Sequence, residues 1–360
     1  MAHPSRRASV ERLRRQVPGL AVAFDPEPTG PPTSVRSAAL AWAGAAPGAT
    51  HHLVLEDDAV PCDHLLEHCE TLCRAFPGTA ISLFVNNSAR TAAVARMAVW
   101  SGHDAAPVVD PYVPTQGLLL PAAVAHGLAT FLRDHDDLDE PGDVATLRYL
   151  RAADVPVVVV VPNAVDHADM TSIMGNEDHG RRESVCFTGQ AGGAGTVFDP
   201  PAVVPYLSES TGRSHVVGFS SAVPLRVPTV DVLHLLGQDL VELQSMLPSN
   251  LAQECASFGI GPDHLLEVWL TAWASGSVLT GAGRASLDTV EETTTTRAGR
   301  AAARSLGRGG LERVVPDTAL AAACDSLGEV VRHGLLVGAR AGGQSPWPDL
   351  TSVLVRTGKG

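Results

Sequence analysis

Short apolar segments alternate with helix-like segments through the first half of the chain. Residues 53–55, 80–85 and 156–161 have the length and composition of buried strands, and the last of them is a run of five valines behind a proline. Between them, apolar side chains recur at the spacing of one helix face, as in residues 65–76. This alternation predicts an α/β fold with a mainly parallel sheet flanked by helices.

The second half of the chain has a different pattern. Residues 187–202 are rich in Gly, Thr and Pro, which is typical of a linker or lid, and we place that segment at 181–204. Residues 205–360 are predicted to be mainly helical, with 281–310 as mobile surface. The chain is therefore predicted to have an α/β domain over 1–180 and a helical C-terminal region over 205–360.

Composition excludes several classes of partner and location. The formal net charge is −13, without a basic patch, which argues against nucleic acid as a partner. The amino terminus lacks an apolar signal region and no run of about 18 apolar residues occurs, so a membrane span is not expected and a cytoplasmic location is predicted. The six cysteines form no Cys-x-x-Cys pair, which predicts reduced thiols.

Three consecutive carboxylates, Glu56, Asp57 and Asp58, follow the strand predicted at 53–55. In an open α/β sheet, ligands bind at the carboxyl ends of strands. Hard divalent cations reach proteins through one or two carboxylates together with substrate phosphates. The triplet therefore indicates a metal and diphosphate site, although acids that cap the following helix would give the same pattern.

The first half of the chain also carries an ordered set of features that resembles a known family. Arg6, the segment Phe24-Asp25-Pro26, Ser34 with Arg36 at a helix start, and Leu53 to Asp58 follow one another at sensible spacings. Together they resemble nucleotide-sugar glycosyltransferases of the GT-A fold, of the Leu-Glu-Asp-Asp type seen in lipopolysaccharide and collagen glycosyltransferases. The resemblance covers residues 1–180 and implies a Rossmann-like sheet.

The resemblance implies an activity and a metal. A sugar would pass from a nucleoside diphosphate sugar, in particular a UDP-linked one, to the hydroxyl of an unknown acceptor. In that family an Asp-x-Asp motif holds Mn²⁺ or Mg²⁺ against the donor diphosphate, and the matching positions are Glu56 and Asp58. Glu56 stands where the family has Asp, and its longer side chain is expected to shift metal binding toward Asp57 and Asp58. His167, after the valine run, matches a later histidine that completes the metal shell and suits Mn²⁺ better than Mg²⁺.

Further site residues follow from the same resemblance. The expected catalytic residues are Asp143, as the base that takes the acceptor proton if the anomeric centre inverts, and Asp57. A helix cap accounts equally well for Asp143. The residues expected to bind the nucleotide sugar are Arg6, Asp25, Arg36, Asp57, Asn86 and Gln116.

The sequence also offers features of other functions. The main alternative is a non-catalytic nucleotide-sugar-binding or scaffold protein of the same fold. Residues 218–222 half resemble the nucleophile elbow of a serine hydrolase but lack its final glycine. The glycines at 189–195 lack the preceding strand of a dinucleotide-binding fingerprint. The apolar C-terminal helices, with Trp269 and Trp273 one turn apart, also suggest a homo-oligomer.

Overall fold

The computed structural model divides the chain into two compact units, each of which is made from two stretches of sequence. The first unit contains 1–86 and 110–197, and the second contains 87–109 and 198–360. The structure describes residues 1–135, 137, 140–168, 170, 181–190, 192–193, 195–219, 225–342 and 347. The change of unit after residue 197 falls within the segment 181–204, whose role as a linker or lid stays a prediction.

The strands and helices alternate in the first half, and helices dominate the second. The strands are β1 His51–Leu55, β2 Ala59–Pro61, β3 Ala80–Ser82, β4 Ala105–Pro107, β5 Gly117–Pro121, β6 Val157–Val160, β7 Val165–His167, β8 Val203–Ser208, β9 Arg213–Gly218 and β10 Leu225–Pro228. The helices are α1 Arg7–Gln16, α2 Val35–Ala43, α3 Leu65–Ala75, α4 Arg90–Trp100, α5 Ala122–Arg133, α6 Gly142–Ala152, α7 Thr229–Leu235, α8 Leu240–Ser245, α9 Ser249–Ser257, α10 Pro262–Gly281, α11 Leu287–Thr295, α12 Arg297–Leu311, α13 Asp317–Ala322 and α14 Cys324–Ala341.

The predicted α/β class is confirmed, but the expectation of a mainly parallel sheet is wrong. In the first unit the strands follow the order β1-β5-β3-β6. β5 is antiparallel to both β1 and β3, whereas β3 and β6 are parallel. The sheet is mixed because β5 is inserted between two neighbours that run against it. A Rossmann-like GT-A topology is therefore not established by the strand order.

One apolar segment with the composition of a strand lies outside the sheet. Residues 20–24 form no ladder, and their strand-like pairing is a single parallel bridge between Ala2 and Phe24. The two neighbouring helices agree with the sequence pattern: α1 ends before Pro18-Gly19, where Gly19 has a φ of 83°, and α2 begins after the Pro- and Gly-rich loop.

The core of the first unit lies between its sheet and the helices that cover it. α2 packs against α5, and α5 packs against α6. The side chains that fill this space are fully buried and mostly large and apolar, which is the main source of stabilisation for a unit of this size. They include Trp42, Leu118, Leu120, Leu128 and Leu150.

The second unit combines a small sheet with a helical bundle. β8, β9 and β10 form an antiparallel sheet, which the expectation of a mainly helical region after residue 205 did not include. The helical part of that expectation is confirmed from α7 onward. The expectation of mobile surface over 281–310 is wrong, because α11 and α12 occupy most of that range and both bury residues.

Two further expectations concern buried side chains. Trp269 and Trp273 are both buried in α10, which packs along α14, and the Trp269 indole nitrogen donates to His333. The pair thus belongs to the core of its own unit, and self-association through the helices stays a prediction. All six cysteines are free thiols. Among the described residues, no helix has the length and apolarity needed to cross a membrane.

Candidate functional site

A cleft of about 500 Å³ in the first unit collects most of the residues singled out in the sequence. Its lining includes six carboxylates and three arginines, a balance that favours a bound cation next to an anionic group. The lining residues that bear on function are Arg6, Asp25, Arg36, Glu56, Asp57, Asp58, Thr115, Gln116, Glu140, Asp143 and Arg182.

Strand pairing explains why the triplet and Gln116 meet. Because β1 and β5 are antiparallel, the residues that follow β1 lie beside those that precede β5. The Glu56 backbone N–H donates to the Gln116 carbonyl at 3.1 Å, and the Ala59 N–H donates to the Glu56 carbonyl at 3.1 Å. The triplet therefore forms the turn between β1 and β2 and lies at the edge of the cleft.

Glu56 is the most perturbed carboxyl of the triplet. Burial, followed by repulsion from Asp58, raises the pKa of Glu56 to about 7. The Thr115 hydroxyl donates to Glu56 Oε1 at 2.6 Å and partly offsets the rise. A buried carboxyl with such a pKa is close to half protonated at neutral pH, and a cation placed next to it would restore the charged form.

Asp58 faces His167 across the short ladder of β2 and β7. Ala59 pairs with His167 in that ladder, which brings His167 Nε2 within 3.2 Å of Asp58 Oδ2. Burial would raise the pKa of Asp58, but the facing imidazole lowers it below its ordinary value. Asp58 Oδ1 is buried without a hydrogen-bond partner, and neither ring nitrogen of His167 has a hydrogen bond of good geometry. These atoms are available as metal ligands.

Asp57 and Asp143 complete the buried acids of the cleft. Burial raises the pKa of both. Asp57 Oδ2 accepts a hydrogen bond from the His3 backbone N–H at 2.9 Å. Asp143 lies in the first turn of α6, where its Oδ1 accepts from the Val144 N–H at 2.8 Å. That bond is not a cap, because the N-cap of α6 is Pro141 and α6 has no side-chain cap hydrogen bond. Asp143 still lies where the helix dipole favours a carboxylate, and its side chain also lines the cleft.

Asp25 and Arg36, both expected to bind the nucleotide, contact each other. Arg36 Nε donates to Asp25 Oδ1 and Nη2 donates to Oδ2, each at 3.0 Å. The hydrogen bond from Arg36 lowers the pKa of Asp25. A ligand that bonds to Asp25 must therefore share the carboxylate with this arginine.

The structure leaves two predicted residues, Asn86 and His167, out of the cleft lining and adds another residue to it. His167 lies next to the cleft through its contact with Asp58. Asn86 is not among the lining residues; it forms an isolated bridge with Ser184. Arg182, which the sequence reasoning missed, lines the cleft, and its Nε is buried without a hydrogen-bond partner. The adjacent pair Arg181-Arg182 was the available signal. It lay just beyond the predicted end of the catalytic domain.

Across the described ranges, no three His, Cys, Asp or Glu side chains are grouped closely enough to hold a metal ion. Residues 220–222 of the half-matching nucleophile elbow lie outside the described residues, as do Ala191 and Ala194 of the glycine-rich segment.

Comparisons with protein-family models, with curated proteins and with solved structures found no match to this chain.

Proposed function

We propose that the chain is a metal-dependent glycosyltransferase that moves a sugar from a nucleoside diphosphate sugar, of the UDP-linked class, to an acceptor hydroxyl. The observation that supports this most is that Glu56, Asp57 and Asp58 line one cleft together with three arginines. A diphosphate bound to a divalent cation requires both kinds of group, carboxylates for the metal and cations for the remaining phosphate charge.

Glu56, Asp58 and His167 offer the ligand chemistry that Mn²⁺ or Mg²⁺ requires, although among the described residues the three side chains are not grouped closely enough to hold an ion without moving. Glu56, Asp58 and His167 would hold the ion, because Asp58 has a buried oxygen without a partner and His167 lies beside it. Two carboxylates with one imidazole suit Mn²⁺ better than Mg²⁺, which prefers oxygen ligands alone. When bound, the cation would act as a Lewis acid toward the diphosphate that leaves.

The remaining side chains have distinct tasks in this proposal. Arg6 and Arg182 bind diphosphate oxygens, and the buried Nε of Arg182 gains a partner when the anion binds. Gln116 and Thr115, which directly precede β5, orient the donor. Asp143 takes the acceptor proton if configuration inverts; its raised pKa makes the carboxylate a stronger base. For a retaining reaction Asp143 would position the acceptor only.

The proposal is tested by measuring donor binding and turnover. A panel of UDP-sugars is titrated by calorimetry into the wild type and Asp58→Asn, with Mn²⁺ or with a chelator, and UDP release is followed. We expect binding to the wild type to require the metal and Asp58→Asn to weaken it by at least about 10-fold. Asp63→Asn is the matched control, because Asp63 is exposed and outside the cleft.

The outcomes separate the two functions. Metal-dependent binding with UDP release supports the transferase. Metal-dependent binding without turnover against a broad acceptor set supports the non-catalytic alternative. Binding that ignores both the metal and Asp58→Asn would show that the triplet is not a metal site.

A further inference from the structure

A hydrogen bond between a tryptophan and a histidine joins α10 to α14 in the second unit. Trp269 Nε1 donates to His333 Nδ1 at 3.1 Å. Trp269 is fully buried, whereas His333 is half-buried. Since an indole nitrogen can only donate, His333 accepts with Nδ1 and carries its own proton on Nε2. The bond therefore fixes the tautomer of this histidine.

The indole is held against α14 by close backbone packing. A Cβ atom added at Gly334, the residue after His333, would lie 2.8 Å from the Trp269 carbonyl oxygen and 3.2 Å from Trp269 Cδ1. The Trp269 ring thus lies directly beside the backbone of α14. Because closely packed interiors are hardly compressible, a change at this hydrogen bond is passed on to the helices.

A second proton on His333 has to go to the atom that accepts the indole bond. Nε2 is already protonated in the tautomer that the bond requires, so Nδ1 is the site that remains. An Nδ1–H that faces the Trp269 N–H is a contact between two donors. The rings offer no compensation, because their centroids are 6.3 Å apart and the imidazole meets the indole at its N–H edge, the positive rim of the ring. Protonation and the hydrogen bond therefore exclude each other.

The surroundings of His333 also oppose its protonation. Burial, followed by the positive charges of Arg332 and Arg340 on the same helix, lowers the pKa of His333 below its ordinary 6.5. No carboxylate among the described residues offsets these two charges at His333. The helices that pack against α14 do carry charged side chains, each of them exposed or paired with another charge, and these include Glu254 of α9, Glu267 of α10, Glu291 of α11, Arg304 of α12 and Asp317 of α13.

We propose that this bond makes the packing of α10 against α14 sensitive to pH: a proton added to His333 Nδ1 displaces the indole N–H and loosens the two helices. The stabilisation by the bond is complete at pH values above 6.5, the ordinary pKa of the histidine, and decreases as the pH falls from 6.5 through the lower pKa of His333 in the folded protein. Mild acid thus weakens the contact between the two longest helices of the described chain.

The test follows the Trp269 indole proton in the whole protein. Labelling the tryptophan indoles with the nitrogen-15 isotope gives one signal for each of the five tryptophans, and Trp269→Phe identifies the signal of Trp269 by its loss. We expect this signal to shift between about pH 8 and about pH 5, the range in which histidine titrates, with a midpoint below 6.5. In His333→Gln the acceptor oxygen does not titrate, so the signal should stay in place.

Urea unfolding measures the consequence for stability. The unfolding equilibrium constant of the wild type, divided by that of His333→Gln, should rise by about 3-fold or more between about pH 7.5 and about pH 5.5. His234→Gln is the matched control, because His234 is an exposed histidine of the same unit, and the corresponding ratio should not change with pH.

Two results would overturn the proposal. One is a Trp269 signal that does not shift over this range, which the wild type reveals even if His333→Gln does not fold. The other is a wild-type to His333→Gln ratio that stays constant or falls in acid, because a charged His333 would then leave the contact unchanged or strengthen it.

Discussion

Arg36 holds the loop that follows Asp25 in place. Besides its two bonds to the Asp25 carboxylate, its Nη2 donates to the carbonyls of Glu27 and Pro31. Both side chains are largely buried, with 15% of Arg36 and 9% of Asp25 exposed. One planar guanidinium thus fixes a segment rich in Pro and Gly, and lysine lacks the fork needed to replace it.

Arg36→Gln should lower the free energy of unfolding at pH 7 by about 2–3 kcal/mol, because the variant leaves a carboxylate without its charged partner. The pKa of Asp25 lies below its ordinary 3.8 in the folded protein. The ionised Asp25 carboxylate, paired with Arg36, therefore stabilises the fold fully at pH values above 3.8. This stabilisation is lost as the pH falls through the pKa of Asp25 in the folded protein. Urea unfolding at pH 7 and at stepwise lower pH measures the difference in free energy of unfolding between the wild type and Arg36→Gln. This difference should shrink as the pH falls below 3.8.

The exposed ion pair of Arg74 and Glu70, with both side chains 72% exposed, supplies the comparison. Arg74→Gln should change stability by less than about 1 kcal/mol at either pH. An Arg36→Gln deficit of constant size through the acid range would contradict the assignment of the pH effect to Asp25.

Two long helices of the second unit meet through glycine. α10 and α14 pack along each other, and a Cβ atom added at Gly276 would collide with the Leu335 carbonyl. One added at Gly338 would collide with the Trp273 carbonyl. The backbones therefore approach more closely than any side chain would allow.

Gly276→Ala separates intrinsic helix propensity from packing. Helix propensity alone predicts that the substitution raises the free energy of unfolding by about 1 kcal/mol in an exposed helix. The collision of the new Cβ with the backbone predicts that it lowers the free energy of unfolding by about 1–3 kcal/mol or more. We expect the loss, measured by thermal or urea unfolding. Gly261→Ala is the control, because its Cβ would meet only His264, at 4.0 Å. A stabilised Gly276→Ala protein would mean that the helices are not in close contact.

The elements that the sequence predicts well carry their own signals. α3 has an apolar stripe and ends before Pro77-Gly78, so neither its existence nor its end depends on distant residues. The sequence pattern did not predict α11 and α12 because their helix-start signals are short. The Ser286 and Thr296 side chains cap them, and the glycines of α12 are explained only by close neighbours such as Leu207 beside Gly310.

The residues of the site likewise fall into those with a local sequence signal and those whose position depends on distant parts of the chain. The triplet after β1 and the histidine after β6 could be predicted because each follows an apolar run in the sequence. In the structure Asp58 and His167 lie next to each other. The direction of β5 could not be predicted from the sequence, since it depends on which strands pair. Arg182 could not be assigned to the cleft, because its place depends on the path of the chain after β7. The functional roles of all these residues stay predictions.

At the scale of the whole chain, the second unit is discontinuous. α4, from the first half of the sequence, packs against α11 and α12 within that unit. Every residue of α4 from Thr91 to Trp100 is buried, and the Trp100 indole donates to the Gly299 carbonyl at 3.4 Å. Dividing the chain between its two sequence halves therefore does not separate the two units.

Deleting residues 205–360 should leave α4 without its partners and make the remaining chain aggregate. Replacing 87–109 with a Gly-Ser linker in the same truncated chain removes the exposed helix and should restore a larger soluble fraction. Soluble yield and light scattering of the two truncated proteins measure this. Equal solubility of both would show that α4 does not need the later helices.

The same arrangement sets an order of events at the ribosome. α4 is synthesised about 200 residues before α12, an interval of roughly 10 to 40 s at typical elongation rates. During that time an apolar helix has emerged while the chain that will cover it does not yet exist. The nascent polypeptide is thus a natural client for a holdase chaperone, and codon changes that lengthen this delay would lower the yield of native protein without altering any amino acid.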